Sequence, residues 1–169
     1  MKTRFDCKRF AVYTLFCSAL LALSAAWLAA QTPAAPAPAP AQATATLTVH
    51  IVGIRNAKGK ISIVLFRDGK GFPSDIANAV AMKQVDIDPQ TLTAKIVFEK
   101  LPQGAYAAAV LHDENLTGKM EFDPQGVPLN GYGISNNPDT TQGPPTPEAA
   151  KFTVDKPEAA IDIKMVYWQ

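Results

Sequence analysis

Cysteine and histidine are nearly absent from this sequence. The only two cysteines, Cys7 and Cys17, lie within the first 30 of the 169 residues. Disulfide bonds, thiol nucleophiles and zinc–thiolate sites are therefore excluded from the rest of the chain. The only histidines are His50 and His112, which leaves little material for acid–base catalysis.

The chain also lacks an excess of charge of either sign. Its first ten residues hold Lys2, Arg4, Lys8 and Arg9 against Asp6, and the remainder holds 12 Lys plus Arg against 14 Asp plus Glu. A domain so close to neutral has no electrostatic basis for binding nucleic acid or anionic lipid. We therefore expect no nucleic-acid partner.

The N-terminus is a predicted export signal. After the basic residues, "AVYTLFCSALLALSAAWLAA" runs over residues 11–30 without a charge and ends on small residues. This pattern predicts a signal peptide over residues 1–30, cleaved after Ala26 or Ala30. The run is also long enough to span a bilayer, so an uncleaved anchor is the alternative. Both interpretations predict a periplasmic or extracellular domain, membrane-tethered at the N-terminus if uncleaved.

A spacer and a single domain follow this segment. Residues 31–45, "QTPAAPAPAPAQATA", are rich in Ala and Pro, a composition that favours an extended polyproline conformation and cannot build a core. Residues 46–169 are enough to bury a core of their own. We expect the chain to carry one folded domain on a semi-rigid tether.

The domain alternates apolar and polar residues over short runs, which indicates β-strands. "TATLTVHIVGIR" and "KISIVLFR" flank the turn sequence "NAKG", and we predict that these two strands form a hairpin. Ser74 or Asp75 is predicted to cap a short helical turn that leads to the strand "KQVDID". In the strand "AYAAAVLHDEN", Tyr106 and His112 fall on one face.

Seven such runs predict an all-β domain, an antiparallel seven-stranded β-sandwich of immunoglobulin or transthyretin-like type. The other predicted strands are "LTAKIVFEK", "KFTVDK" and "AAIDIKMVYWQ". One short helical turn and one long loop, residues 113–149, complete the prediction. That loop is longer than connections in compact domains usually are.

Four motifs resemble one bacterial family. "LPQGAY", "HDENLTGKMEFD", "GYGISNN" and "GPPTPEAAKF" are together similar to the exported domain of unknown function 2141, over residues 47–167. The resemblance implies an exported β-sandwich without an established activity, substrate or catalytic residue. The "LPQGAY" motif is also similar to a turn of transthyretin-like and collagen-binding B-type sandwiches, in which the Gly makes the turn and the Tyr packs at the start of the next strand.

The run "HDENLTGKMEFDPQG" contains part of a calcium loop. Oxygen-bearing side chains stand at its alternating positions and a Gly at its sharp turn, but Pro124 occupies the place of the final bidentate Glu. The candidate ligands are Asp113, Asn115, Thr117, Glu121 and Asp123. The alternative is a turn stabilised by an Asp side chain.

The histidines do not form an evident catalytic set. His50 falls on the outward face of the first strand, and His112 lies at a strand end, where we expect a hydrogen-bonded residue at the edge of the core. A hydrolase using His112 and Asp113 is an alternative, although no nucleophile is evident in the sequence. We therefore expect a non-enzymatic protein without a cofactor.

Recognition residues are predicted in the second half of the long loop. "NGYGISNNP" mixes one aromatic ring with several amide and hydroxyl groups, and loops of β-sandwiches often carry recognition. The candidate ligand-binding residues are Asn130, Tyr132, Ser135, Asn136, Asn137 and His112. The alternative is a loop that packs on itself and covers a sheet edge.

The resulting hypothesis is an exported, non-enzymatic binding or interaction module of the cell envelope or periplasm, with an envelope protein or a glycan as its partner. A calcium-stabilised structural domain and a hydrolase are the two alternatives.

Overall fold

A computed structural model describes residues 43–141 and 143–168. The predicted signal peptide and most of the Ala/Pro spacer lie outside these residues. Two residues assigned to the spacer, Thr44 and Ala45, are the first of strand β1. None of the helices in the described ranges is long and apolar enough to cross a membrane.

The described residues form eight strands and two single helical turns. The strands are β1 (Thr44–Val52), β2 (Lys60–Arg67), β3 (Ala79–Val85), β4 (Ala94–Pro102), β5 (Gly104–Asp113), β6 (Gly131–Ile134), β7 (Phe152–Val154) and β8 (Glu158–Lys164). A 3₁₀ turn (Ile76–Asn78) precedes β3, and a helical turn α1 (Pro147–Ala150) precedes β7. The all-β prediction is confirmed.

The strands form two sheets. The smaller sheet has the order β4-β1-β8, and the larger has the order β3-β2-β5-β6, with β7 also paired to β5. All pairs are antiparallel except β1 and β8, which run parallel. The prediction of seven antiparallel strands was therefore wrong in two respects, because β6 was not predicted as a strand and β8 runs parallel to β1. The four-residue strand β6 is too short to show an alternating pattern, and alternation does not encode strand direction.

The predicted hairpin between the first two strands was wrong. β1 pairs with β4 and β8 in one sheet, whereas β2 pairs with β3 and β5 in the other. Residues 53–59 carry the chain between the sheets, with Gly53 and Gly59 at positive φ. The apolar faces of β1 and β2 thus pack against each other across the core, and their alternation is the same as it would be in a hairpin.

The core lies between the sheets, and a second apolar cluster covers part of the outer face of the larger sheet. The fully buried strand residues include Leu47, Val49, Ile51, Ile61, Ile63, Leu65, Ile96, Tyr106 and Val110. Phe66, Phe72, Ala107, Ile134 and Ala150 form the second cluster. Because both faces of β5 are packed, its alanines keep it narrow enough to fit between two layers.

Two local predictions are confirmed. The Asp75 carboxylate accepts a hydrogen bond from the Ala77 N–H and caps the short helical turn. Tyr106 is buried at the start of β5, and its hydroxyl donates to the carbonyl of Pro102. This bond closes the "LPQGAY" turn on itself.

Candidate functional site

Asp113 organises the turn that was considered for calcium. Its buried carboxylate accepts a hydrogen bond at each oxygen, from the Thr117 N–H at 2.9 Å and the Gly118 N–H at 2.7 Å. The Thr117 hydroxyl donates to the carbonyl of Lys119, and the Asn115 amide donates to Glu121. The described residues contain no group of three or more His, Cys, Asp or Glu side chains placed to hold a metal ion. Calcium binding stays an untested prediction.

A short hairpin follows this turn. Backbone hydrogen bonds join Asp123 to Val127 and Leu129 to Glu121, and the Asp123 carboxylate accepts from two N–H groups at the tip. Asn130 fastens the hairpin to β5, since its carbonyl accepts from the Glu121 N–H at 2.7 Å and its amide donates to the backbone of His112. These bonds hold residues 114–129 as a defined extension, which we call the apolar projection.

The apolar projection exposes large hydrophobic side chains. Leu116 is 61% exposed, Phe122 57%, Leu129 55% and Val127 36%. Four of the ten exposed large apolar side chains in the described ranges therefore lie in this one segment. A segment that exposes several large apolar side chains is a candidate interaction surface.

Four of the predicted recognition residues bond the protein's own backbone. The Ser135 hydroxyl, fully buried, accepts from the Ala108 N–H and donates to the carbonyl of Ala150. The Asn136 amide donates to carbonyls on either side of Ala150. The Asn137 side chain pairs with the edge of β8, donating to Asp162 and accepting from the Lys164 N–H. With Asn130, these side chains hold the segment in place.

Tyr132 belongs to a polar cluster on the surface. Its hydroxyl lies 2.8 Å from the Thr140 hydroxyl and accepts from the Trp168 indole at 3.0 Å. The glycines on either side of Tyr132 let the backbone approach the C-terminal segment closely, because a Cβ at Gly131 would meet the Tyr167 ring and one at Gly133 would meet Ile163.

His112 is completely buried in a polar network at the end of the sandwich. Its Nε2 lies 2.8 Å from the Lys58 carbonyl and its Nδ1 lies 2.8 Å from the Tyr167 hydroxyl. Because a carbonyl only accepts, Nε2 carries the proton in the neutral ring and Nδ1 accepts from Tyr167. The expectation of a hydrogen-bonded residue at the edge of the core is confirmed.

Arg55 and Glu114 complete this network. The Arg55 side chain bonds Glu114, its backbone N–H donates to the Tyr167 hydroxyl, and its guanidinium stacks on the Tyr167 ring. The hydrogen bond from Arg55 to Glu114 outweighs burial and raises the pKa of the Arg55 guanidinium. Burial raises the pKa of the Tyr167 phenol.

The ionisation of Glu114 is set by opposing effects. Burial alone would raise the pKa of its carboxyl. Hydrogen bonds from Arg55 and Asn56 and the Arg55 charge outweigh that effect, and the pKa lies below its ordinary value. The network therefore joins the Arg55–Glu114 ion pair to the hydrogen-bonded His112 and Tyr167, and it connects the loop 53–59, β5 and the C-terminal segment.

The sequence pattern of one protein family matches residues 49–162, and the family is described as an uncharacterized protein conserved in bacteria, DUF2141. The chain belongs to this family. No curated protein and no solved structure matches it. The predicted resemblance to the family is confirmed, and it brings no activity with it.

This DUF2141 domain does not bring His112 and Asp113 together as an acid–base pair. Both ring nitrogens of His112 have protein partners, and the hydrogen bonds to the Asp113 carboxylate come from the backbone of the following turn. His50 is half-buried on β1, which belongs to the other sheet. His112 therefore has no ring nitrogen free to act as a base, and the Asp113 carboxylate is not among its hydrogen-bond partners.

Two features of the site were missed in the sequence. The pairing of Arg55 with Tyr167 spans 112 positions of the chain and leaves no local signal. The exposed apolar residues did have a signal, because Leu116, Phe122 and Leu129 are large hydrophobic residues within a polar segment that lacks any strand or helix period. The alternative given above, a loop that packs on itself, would bury such side chains, whereas the structure exposes them.

Proposed function

We propose that this DUF2141 chain is an exported, non-enzymatic interaction module of the cell envelope or periplasm, which binds an envelope protein or a glycan. The exposed side chains of the apolar projection are the observation that carries this proposal. The predicted signal peptide supports export. The immunoglobulin or transthyretin-like type of the sandwich is part of the same proposal.

Leu116 adds a second argument for binding. Its φ is +57°, a left-handed conformation that costs a residue with a Cβ about 1 kcal/mol or more. Leu92 has a similar φ of +51°, but its side chain packs against the core. Leu116 is 61% exposed and gains no comparable burial. A strained, exposed leucine is best explained if the side chain is buried by a partner.

The projection is also pre-organised. The side chains of Asp113, Asp123 and Asn130 accept hydrogen bonds from backbone N–H groups and fix the shape of the projection before any partner binds. A surface of fixed shape loses less conformational entropy on association. The chain enters the domain at Ala43, bonded to the turn beside Pro102, whereas the projection follows the far end of β5. The proposed surface thus follows the end of β5 that is remote from Ala43.

The recognition residues predicted from the sequence have a supporting role in this proposal. Asn130, Ser135, Asn136 and Asn137 hold the chain beside the projection, and the His112 ring is bonded to the Lys58 carbonyl in the loop 53–59. Tyr132, half-buried and bonded to the exposed Trp168, is the one candidate whose ring we propose contacts the ligand directly.

The test compares two variants of the full-length gene product. In the first variant, Leu116, Phe122 and Leu129 are replaced by Ser. In the control variant, Val52 and Ile76, two exposed apolar residues outside the projection, are replaced by Ser. Sedimentation with purified peptidoglycan sacculi and with envelope membrane proteins is measured separately. We expect one fraction to retain the wild type and the control but to bind the projection variant at least about tenfold more weakly, since each side chain loses burial worth about 1 kcal/mol.

Two outcomes contradict the proposal. One is that neither fraction retains the wild type, and the other is that the control variant loses binding while the projection variant keeps it. The non-enzymatic part is tested separately on generic ester and glycoside substrates. Hydrolysis that is lost in His112→Ala but retained in the projection variant would show that the chain is an enzyme.

A further inference from the structure

One side of the sandwich is open between the edges of its two sheets. β3 is the edge strand of the larger sheet and pairs only with β2 within the described residues, and β4 is an edge strand of the smaller sheet. A groove runs between them. Its lining residues are Val80, Ala81, Lys83, Phe98, Glu99, Lys100, Leu101 and Pro102.

The free edge of β3 has the features of a template for strand addition. It is seven residues long, and its backbone groups that point away from β2 have no strand beside them in the described ranges. Val80 is 49% exposed and Met82 is 60% exposed on the outward face of the strand. An added strand would bond this edge and cover both side chains.

Lys83 sets the charge at this edge. Ala81 and Val85, its neighbours on the inward face, pack against the core, and the Lys83 ammonium lies 5.3 Å from the centre of the Phe98 ring. It donates to the Val97 carbonyl at 2.6 Å. An ammonium has three donors, so two stay available to another group.

No carboxylate of the described residues lies within 4.0 Å of Lys83 or Lys100. The groove lining thus contains two lysines and the single acid Glu99. Lys100 also has a φ of +55° beside a register shift between β1 and β4, an irregularity that disfavours strand addition on the β4 edge. The β3 edge is therefore the accessible one.

A second copy of the chain fits this edge poorly. Two β3 strands paired about a twofold axis near their centres would bring two Lys83 ammonium groups close together, and like charges on neighbouring strands are unfavourable. A lysine facing inward from an edge strand is a known protection against self-association. A strand that carries an acid beside Lys83 would gain a cross-strand ion pair instead.

We propose that the free edge of β3 binds an extended segment of another protein as an added strand, with a carboxylate of that segment beside Lys83. The segment is apolar where it covers Val80 and Met82 and acidic where it meets the groove. This binding site is independent of the apolar projection.

The test uses two fluorescent heptapeptides, Val-Thr-Val-Glu-Val-Thr-Val and the same peptide with Lys at its centre, both blocked at their ends, so that the Val side chains and the central charge lie on opposite faces of the added strand. Fluorescence anisotropy measures their binding to the full-length gene product. We expect the acidic peptide to bind about threefold to thirtyfold more tightly than the basic one, the range given by exchanging a favourable for an unfavourable cross-strand pair. Lys83→Glu should reverse the preference, and Lys83→Gln should abolish it.

Controls separate this site from the proposed function. Lys95→Glu, on the outer face of β4, and the projection triple variant should bind both peptides as the wild type does. Hydrogen exchange should show new protection of β3 amides when the acidic peptide binds. Absence of binding by either peptide, an acidic preference that persists in Lys83→Gln, or protection elsewhere than β3 would overturn the proposal.

Discussion

Gly131→Ala should strongly destabilise the domain, because a methyl group at this position has no room. A Cβ at Gly131 would lie 2.5 Å from Cζ and 2.7 Å from Cδ1 of the Tyr167 ring, with Cε1 closer still. Gly131 lies in strand β6 without a positive φ, so an alanine is acceptable to the backbone. The effect of the substitution therefore comes from packing alone.

The expected loss is about 2 to 6 kcal/mol. Overpacking of this kind costs about 1 to 3 kcal/mol. If the Tyr167 ring moves away, the buried Nδ1 of His112 loses its partner, and an unsatisfied buried polar group costs about 1 to 3 kcal/mol more. Because whole domains are stable by only about 5 to 15 kcal/mol, the melting temperature should fall by on the order of 10 °C.

The assay is urea unfolding followed by circular dichroism, with a double-mutant cycle and a control. Gly126→Ala is the control, since its Cβ meets nothing within 4 Å and only its φ of +84° is unfavourable, which should cost about 1 kcal/mol. In a Tyr167→Ala background, Gly131→Ala should cost at least about 2 kcal/mol less than in the wild type. An equal cost in both backgrounds, or a cost under about 0.5 kcal/mol in the wild type, would refute the packing argument.

Three further predictions concern the pH dependence of stability, the hydrogen bonds from Asn137 to β8, and calcium binding. The pKa of Glu114 is lowered in the folded state, so its ion pair stabilises the domain above the unfolded pKa of about 4.3, and this stabilisation is lost as pH falls through the lowered value. Glu114→Gln should therefore make the free energy of unfolding depend less on pH below about pH 5. The same pH dependence in the variant and the wild type would contradict this. Asn137→Ala removes both side-chain hydrogen bonds to the edge of β8 and should lower the free energy of unfolding by about 1 to 2 kcal/mol. Hydrogen exchange at the Lys164 amide should be faster in the variant. Equal exchange rates in the variant and the wild type would show that these hydrogen bonds do not protect the edge of β8. Since both Asp113 oxygens already accept backbone hydrogen bonds, we expect the same melting temperature in millimolar calcium and in excess chelator. A calcium-dependent rise of several degrees that Asp113→Ala abolishes would instead establish a metal site.

The sequence was sufficient to predict strands and their buried faces but not their partners. Alternation correctly placed Tyr106 and His112 on one buried face of β5. It could not show that β1 and β2 belong to different sheets or that β8 runs parallel to β1. Pairing depends on contacts between residues far apart in the chain, and the period of a strand is the same whichever neighbour it has.

The site was harder to predict for a related reason. An amide or hydroxyl in a loop can bind a ligand or the protein's own backbone, and its type does not distinguish the two. Asn137 finds its partners 25 and 27 positions away, and His112 finds Tyr167 at a separation of 55. Exposure of an apolar side chain such as Phe122 likewise depends on how the whole loop packs, which local sequence does not encode.

The most direct test of the proposed function is photo-crosslinking in the native bacterium. A benzophenone amino acid replaces Phe122 in the full-length chain, and the same amino acid in place of the exposed Ile76, which belongs to neither proposed binding surface, is the matched control. We expect a discrete adduct with one envelope protein or with peptidoglycan from position 122, lost when Leu116 and Leu129 are changed to Ser and absent from position 76. No adduct from position 122, or the same adduct from both positions, would contradict the claim that the apolar projection is the binding surface.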